Sequence, residues 1–306
     1  MAIALQPASP VRHPSAPRRN DSGLGIALMA GGMFLFSAVD TQAKFLTETL
    51  HPIQIVWCRQ LGLLIGVFVM LGFRGVSILR TDHPGLQITR GALAAGSATI
   101  FIVAISYVQL ADAVAVSFVA PFIVTLLGAA VLRETVGIRR WSAVTIGFVG
   151  TLIVIRPGTG AVHPAVFLVI LAATLFALRQ IISRALSGSD RTVTTVAYTA
   201  LVSSFVLSFP LPFVWQWPQS GTEWALLVSI ALIAAVAETL VIKALEVAQA
   251  VVVAPLQYTL ILWSTLYGYL VFADLPDMWT WVGALIIVAT GIYTLHRERI
   301  ASRARR

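Results

Sequence analysis

Ten apolar runs, at roughly 23–45, 52–72, 85–108, 111–132, 139–157, 164–186, 192–215, 222–245, 249–273 and 278–295, constrain this 306-residue chain more than any other feature. About 20 apolar residues cross the roughly 30 Å hydrocarbon layer of a bilayer as a helix, and each run approaches or exceeds that length. With 58% hydrophobic and only 11% charged residues, the chain lacks the polar surface that a soluble fold needs. Barrel strands would alternate with period two, and no such alternation is present. The predicted class is therefore an all-α polytopic membrane protein of ten transmembrane helices. Short turn-rich breaks separate the runs, among them Arg80 to Pro84, Ser187 to Asp190 and Asp274 to Asp277. Residues 1–22 are rich in Pro, Ala and Arg and predict a disordered cytoplasmic tail. The run that follows is too long for a signal peptide and predicts an uncleaved first span.

An even number of spans puts both ends of the chain on one side. Both ends are basic, with Arg12, Arg18 and Arg19 at one and Arg297, Arg299, Arg303, Arg305 and Arg306 at the other. The loops holding Arg74 and Arg80, then Arg133, Arg139 and Arg140, then Arg184 and Arg191, fall on that same side. The opposite loops carry few basic residues beyond Lys44 and Arg156, against Glu48, Asp112, Glu223, Asp274 and Asp277. The positive-inside rule makes the basic side cytoplasmic, and the expected location is the inner cell membrane. Of 21 basic residues 19 are Arg, and their place in tails and breaks assigns the net charge of +8 to topology rather than to nucleic acid. Trp215, Trp217, Trp224, Trp279 and Trp281 cluster at the outer ends of spans, where interfacial anchoring is expected. The one cysteine, Cys58, lies inside an apolar run and reads as a core residue.

The stretch Ala111 to Arg156 has an echo at Ala248 to Leu295: small residues, a proline in an apolar run, an acidic break at Glu134 or Asp274, and Trp141 or Trp281. At an offset near 140, Phe36 falls over Phe176, Asp40 over Gln180, Lys44 over Arg184, Arg59 over Tyr198 and Phe101 over Glu238. The expected domains are a first repeat at 23–157, a second at 158–296 and a basic cytoplasmic tail at 297–306. Five spans per repeat is an odd number, so the halves enter the membrane from opposite sides. Inverted halves build a midplane site that opens to either face by alternating access.

Several residues together carry a family resemblance. They are Phe36-Ser37 followed by Lys44; His51-Pro52 leading to Arg59; Ala111 through Pro121 to Glu134; and Gly147 with Gly150. In order, spacing and duplication the chain resembles the EamA type of the drug/metabolite transporter superfamily, and among its members it looks most like the exporters of aromatic amino acids. It departs from the pattern at Phe36, where the family usually has Trp, and at Asp274, where Glu is usual. The resemblance implies two inverted five-helix repeats, with spans 1 to 4 and 6 to 9 around a central cavity and spans 5 and 10 peripheral.

Charged groups inside a bilayer cost several kcal/mol, so each needs a role. Asp40 and Lys44 are four apart on one helix and are expected to pair near its outer end. Arg59, about 12 Å below the outer edge at 1.5 Å per residue, either binds an entering carboxylate or ties span 2 to neighbouring carbonyls. Glu238 has no basic residue at i±3 or i±4 and is either a coupling or binding group or a helix contact. Arg90 and Arg179 lie near helix ends and read as topological charges. Phe36, Trp57, Phe101, Tyr107, Phe118, Phe122, Phe176, Tyr258 and Trp263, with Gln180 and Tyr198, are the candidates for cavity wall. Pro121 and Pro255 break hydrogen bonding inside their spans and serve either as static kinks or as gating hinges, one per repeat.

There is no G-x-x-x-x-G-K-[ST], and the chain has only Lys44 and Lys243, so this polypeptide does not pump with ATP. G-x-S-x-G and H-E-x-x-H are absent as well, and the one D-x-x-D spacing, Asp274 to Asp277, lies in a turn-rich break between spans, so no enzyme activity, catalytic residue, cofactor or metal is expected. The reading is a non-ATP secondary transporter exporting small amphipathic metabolites, aromatic amino acids first. A multidrug, organic-cation or other metabolite carrier is the alternative, followed by a pore or a membrane-embedded enzyme. Direction and proton coupling stay open. The expected partners are a small-molecule substrate and the lipid bilayer, with no nucleic acid, and a monomeric state is expected.

Overall fold

The apolar runs have nowhere to place backbone polar groups in hydrocarbon except within their own helices, and the chain folds accordingly. A computed structural model describes residues 22–131, 138–156, 163–186, 189–248 and 250–304. The helices are α1 (Ser22–Leu46), α2 (Pro52–Arg74), α3 (Pro84–Ile105), α4 (Leu110–Ser117), α5 (Ala120–Val131), α6 (Ile138–Ile155), α7 (Val166–Leu186), α8 (Thr192–Ser208), α9 (Leu211–Val214), α10 (Gly221–Val247), α11 (Ala250–Val253), α12 (Thr259–Phe272) and α13 (Met278–Ala304). No strand occurs among the described residues. Among the described residues, six stretches are long and apolar enough to cross a membrane: 23–46, 52–74, 84–105, 110–129, 166–183 and 221–247. Shorter apolar helices run over 145–155, 192–208 and 278–293.

Local chemistry sets several boundaries. Pro52 and Pro84 open α2 and α3, where a missing N–H costs nothing. Ser220 caps α10 by accepting the Glu223 amide at 3.2 Å, while the Glu223 carboxylate accepts the Gln219 amide at 2.6 Å. At the end of α12, Ala273 is left-handed at φ 57°, and the Asp274 amide reaches back to the Gly268 carbonyl at 3.2 Å.

Four expectations change. The fourth span is two helices, because Pro121 has no amide for the Ser117 carbonyl and the chain tightens at Phe118 and Val119 before α5 begins. The ninth breaks likewise, with a 3-10 turn over Ala254–Tyr258 between α11 and α12. The seventh stops at Ser208, ahead of Pro210 and Pro212. At the C-terminus the expected tail is helical as far as Ala304, continuous with the last span. The N-terminal tail at 1–21, the hinge residues Arg133 and Glu134, and Arg305 and Arg306 lie outside the described residues.

The packing has a twofold pattern. Helix α1 packs along α10 as α7 packs along α3; α2 crosses α10 as α8 crosses α3; α1 meets α12 as α7 meets α5. The pairs α6 with α13 and α2 with α8 map onto themselves. Each half therefore finds its main contacts in the other half rather than in itself. Small residues permit these approaches. At the crossing of α6 and α13, a Cβ on Gly283 would lie 2.6 Å from the Gly150 carbonyl oxygen, and one on Gly150 would lie 3.1 Å from that of Gly283. Interhelical hydrogen bonds add to the packing: Ser203 donates to the Gly91 carbonyl at 2.9 Å, Ser97 to that of Ala172 at 2.9 Å, and Ser229 to the Gln42 side chain at 2.7 Å.

Candidate functional site: a charged and aromatic cluster inside the bundle

The charged residues sort into a group at one end of the bundle and a group in its interior. The first surrounds Lys44, near the end of α1. Its ammonium donates to the Val108 carbonyl at 3.0 Å and to the Asp274 carboxylate at 3.3 Å, and it sits 4.9 Å from the centre of the Phe272 ring. Close by, Arg156 pairs with Asp277. Asp277 also accepts the Thr280 amide at 2.8 Å, capping α13, and the Thr280 hydroxyl donates to Asp112 at 2.9 Å. Burial opposes the Asp277 charge, but Thr280 and Arg156 outweigh it and hold the carboxyl below its ordinary 3.8. A cleft of about 250 Å³ opens among Tyr107, Gln109, Asp112, Arg156, His163 and Asp277.

The second group draws on five helices. Asp40 of α1 pairs with Arg59 of α2 at 3.3 Å, and the Arg59 guanidinium lies 5.7 Å from the Phe36 ring centre. The expected pairing of Asp40 with Lys44 is thus replaced by two longer-range pairs, Asp40 with Arg59 and Lys44 with Asp274. Helical spacing put Asp40 and Lys44 side by side, but stronger partners on other elements claim each of them. Arg90 of α3 is anchored: its Nε donates to the Ser183 hydroxyl at 2.7 Å and its Nη1 to the Thr195 carbonyl at 3.3 Å and to the Thr199 hydroxyl. Arg179 of α7 lies 4.7 Å from the centre of its neighbour Phe176. Its Nε is buried with no hydrogen-bond partner among the described residues. Glu238 of α10 lies within electrostatic reach of both Arg90 and Arg179, and Arg179 within reach of Arg59. Charges from α2, α3, α7 and α10 that sense one another in this way face a shared interior.

The aromatic candidates divide. Phe36 and Trp263 sit against one apolar cluster around Met29, Met33 and Val253, and the Trp263 Nε1 is buried without a partner among the described residues. Phe101 packs on the main core. Phe118 and Tyr258 face each other across the two broken helices, with ring centres 4.9 Å apart. Phe122 is buried against Gly147 of α6. Trp57 donates to Ser208 at 2.8 Å, and Tyr198 reaches the Leu79 carbonyl at 3.3 Å. Tyr107 is 60% exposed and stacks on His163 at the Lys44 end. Gln180 is half-buried beside Arg179 on α7. The sequence reading left Arg90 and Arg179 out of the site as helix-end charges. Their distance from the ends was a usable signal: each lies six or seven residues inside its helix, about 10 Å at 1.5 Å per residue.

Comparison with known proteins accounts for the twofold packing. The EamA-like transporter family matches twice, at residues 23–156 and 163–295. The chain belongs to that family. Relatives include an S-adenosylmethionine uptake transporter of Rickettsia felis, 27% identical over 88% of this chain and 93% of the relative. A riboflavin transporter of Vibrio cholerae is 32% identical over 74% of this chain and 77% of the relative. A pseudopaline exporter of Pseudomonas aeruginosa is 27% identical over 89% and 95%. None of these three is named for aromatic amino acids. A solved crystal structure at 18% identity matches the fold with a TM-score of 0.60, covering 90% of this chain and 98% of that one. The protein is thus a multi-pass membrane transporter of the EamA family, and its two family repeats are the halves that exchange packing partners.

Proposed function

We propose that this EamA transporter carries small, ring-bearing, amphipathic metabolites by alternating access, without ATP and without enzyme activity. The single observation that carries the reading is the interior cluster: two phenylalanines in corresponding places of the two repeats, Phe36 and Phe176, each beneath a guanidinium. Aromatic faces accept a ring, and fixed charges beside them accept a polar head. Aromatic amino acids match this chemistry. So does S-adenosylmethionine, which joins an amino-acid head to a heteroaromatic ring and which names the R. felis relative. The ten-helix inverted arrangement, the inner-membrane location and cytoplasmic ends belong to the same proposal, supported by the basic tails and the twofold packing. The broken helices at Pro121 and Pro255, one in each repeat, are the proposed hinges.

Purified protein in liposomes tests the reading with labelled L-tryptophan, L-phenylalanine, S-adenosylmethionine and riboflavin, with and without a pH gradient. At least one compound is expected to enter, faster when the same unlabelled compound is preloaded on the far side. Uptake that lacks this counterflow identifies a pore, and no uptake of any compound removes the proposal. Loading from inside and outside separately reads direction, and the pH gradient reads coupling.

A further inference from the structure

The interior cluster is not neutral. Among the described residues it brings together three guanidinium groups, Arg59, Arg90 and Arg179, and two carboxylates, Asp40 and Glu238. Asp40 is matched by Arg59. Arg90 has partners on α7 and α8 for its Nε and Nη1. Arg179 is different, because its Nε is buried with no acceptor among the described residues. A buried donor on a charged group is costly to leave unmade, so the arrangement calls for an acceptor that the chain does not supply. Glu238 is the nearest carboxylate in kind. It feels the charge of Arg179, yet the two form no ion pair within 4.0 Å. A cation on α7 and an anion on α10 therefore lie within electrostatic reach of each other without forming an ion pair, and the Phe176 ring covers one side of the cation.

We propose that Arg179 receives the carboxylate of the transported molecule and Glu238 its ammonium group, so that the gap between them selects an α-amino-acid head. This rests on the transport reading above and narrows it to a substrate class. A zwitterionic head bridges two opposite charges that do not touch, whereas a plain organic cation leaves the Arg179 donor unmet. The planar fork of Arg suits a carboxylate, and its Nε is one tine of that fork. Arg90 contributes a fixed positive charge beside the head and is a positioning residue.

The test uses the full chain in liposomes and competition against labelled L-tryptophan and labelled S-adenosylmethionine. The competitors are L-tryptophan, tryptamine (no carboxylate), indole-3-propionate (no amine), and S-adenosylmethionine with its decarboxylated form. Wild-type protein is expected to prefer each complete head over its truncated partners by about tenfold or more. Arg179→Gln is expected to abolish the preference over tryptamine and decarboxylated S-adenosylmethionine while keeping the preference over indole-3-propionate. Glu238→Gln is expected to do the reverse. Unchanged ratios in both variants overturn the proposal. If Arg179→Gln is not monodisperse in detergent, Arg179→Lys decides by the same ratio, because it keeps the charge and loses the fork; a preference held at the wild-type level overturns the assignment. Wild-type uptake of riboflavin alone overturns the amino-acid head and leaves transport standing. No uptake of any compound fails the transport reading itself.

Discussion

Asp277 is a residue whose behaviour can be worked out from its partners. Its folded carboxyl is held below 3.8, so the group contributes stability above the ordinary carboxylate range and loses that contribution as pH falls through the lowered folded value. Acid unfolding followed by tryptophan fluorescence in detergent should therefore show a component below about pH 4 that Asp277→Asn removes, with the variant the less stable protein near pH 7 and the two converging at low pH. Ala273 offers a simpler case. A left-handed alanine is strained by about 1 kcal/mol relative to glycine, so Ala273→Gly should raise the melting temperature in detergent; a fall would mean that the methyl group makes a needed contact. Residue-scale pairing was also where the sequence was least legible. Asp40 and Lys44 are correctly spaced for each other, but Arg59 is 19 positions from Asp40 and Asp274 is 230 from Lys44, and no helical periodicity reports such partners. Arg90 was misread for the same reason, since its partners Ser183, Thr195 and Thr199 come from other helices.

Elements were far more legible, because a bilayer leaves an apolar run few options. Run lengths located the long helices within a few residues, and Pro121 and Pro255 marked where two of them break. How sharply they break was not readable, since it depends on whether neighbouring helices accept the freed carbonyls. Gly150 and Gly283 carry the crossing of α6 and α13, where a side chain at either position would meet the opposite backbone. Gly283→Leu should separate the two helices and lower the melting temperature by several degrees, the usual result of an overpacking loss of about 1–3 kcal/mol. Gly66 and Gly72 of α2 face open space, and alanine at either should change little. Equal sensitivity at all three would show that helix propensity, not the crossing, is being measured.

At the scale of the molecule, the repeat seen in the residues became a rule for which helices touch. The offset near 140 predicted that Phe36 and Phe176 are counterparts, and both are ring partners of guanidinium groups. What the offset could not show is that the halves interlock rather than stand side by side. Hinge motion belongs to this scale. If Pro121 serves exchange between states, Pro121→Ala should restore the Ser117 carbonyl's partner, stiffen the junction of α4 and α5, and slow L-tryptophan uptake in liposomes more than it weakens binding measured by protein fluorescence. Equal losses in both assays would identify a static kink.

The self-matching pairs have a mechanical meaning. Any exchange that swaps the roles of the halves turns the contact of α1 with α10 into that of α7 with α3, so those contacts must loosen on one side as they tighten on the other. The crossing of α6 and α13 maps onto itself and has no such obligation. If the proposed exchange takes place, that crossing would serve as the pivot of a balance, and its paired glycines bring the two backbones together there without a lever arm of side chains between them.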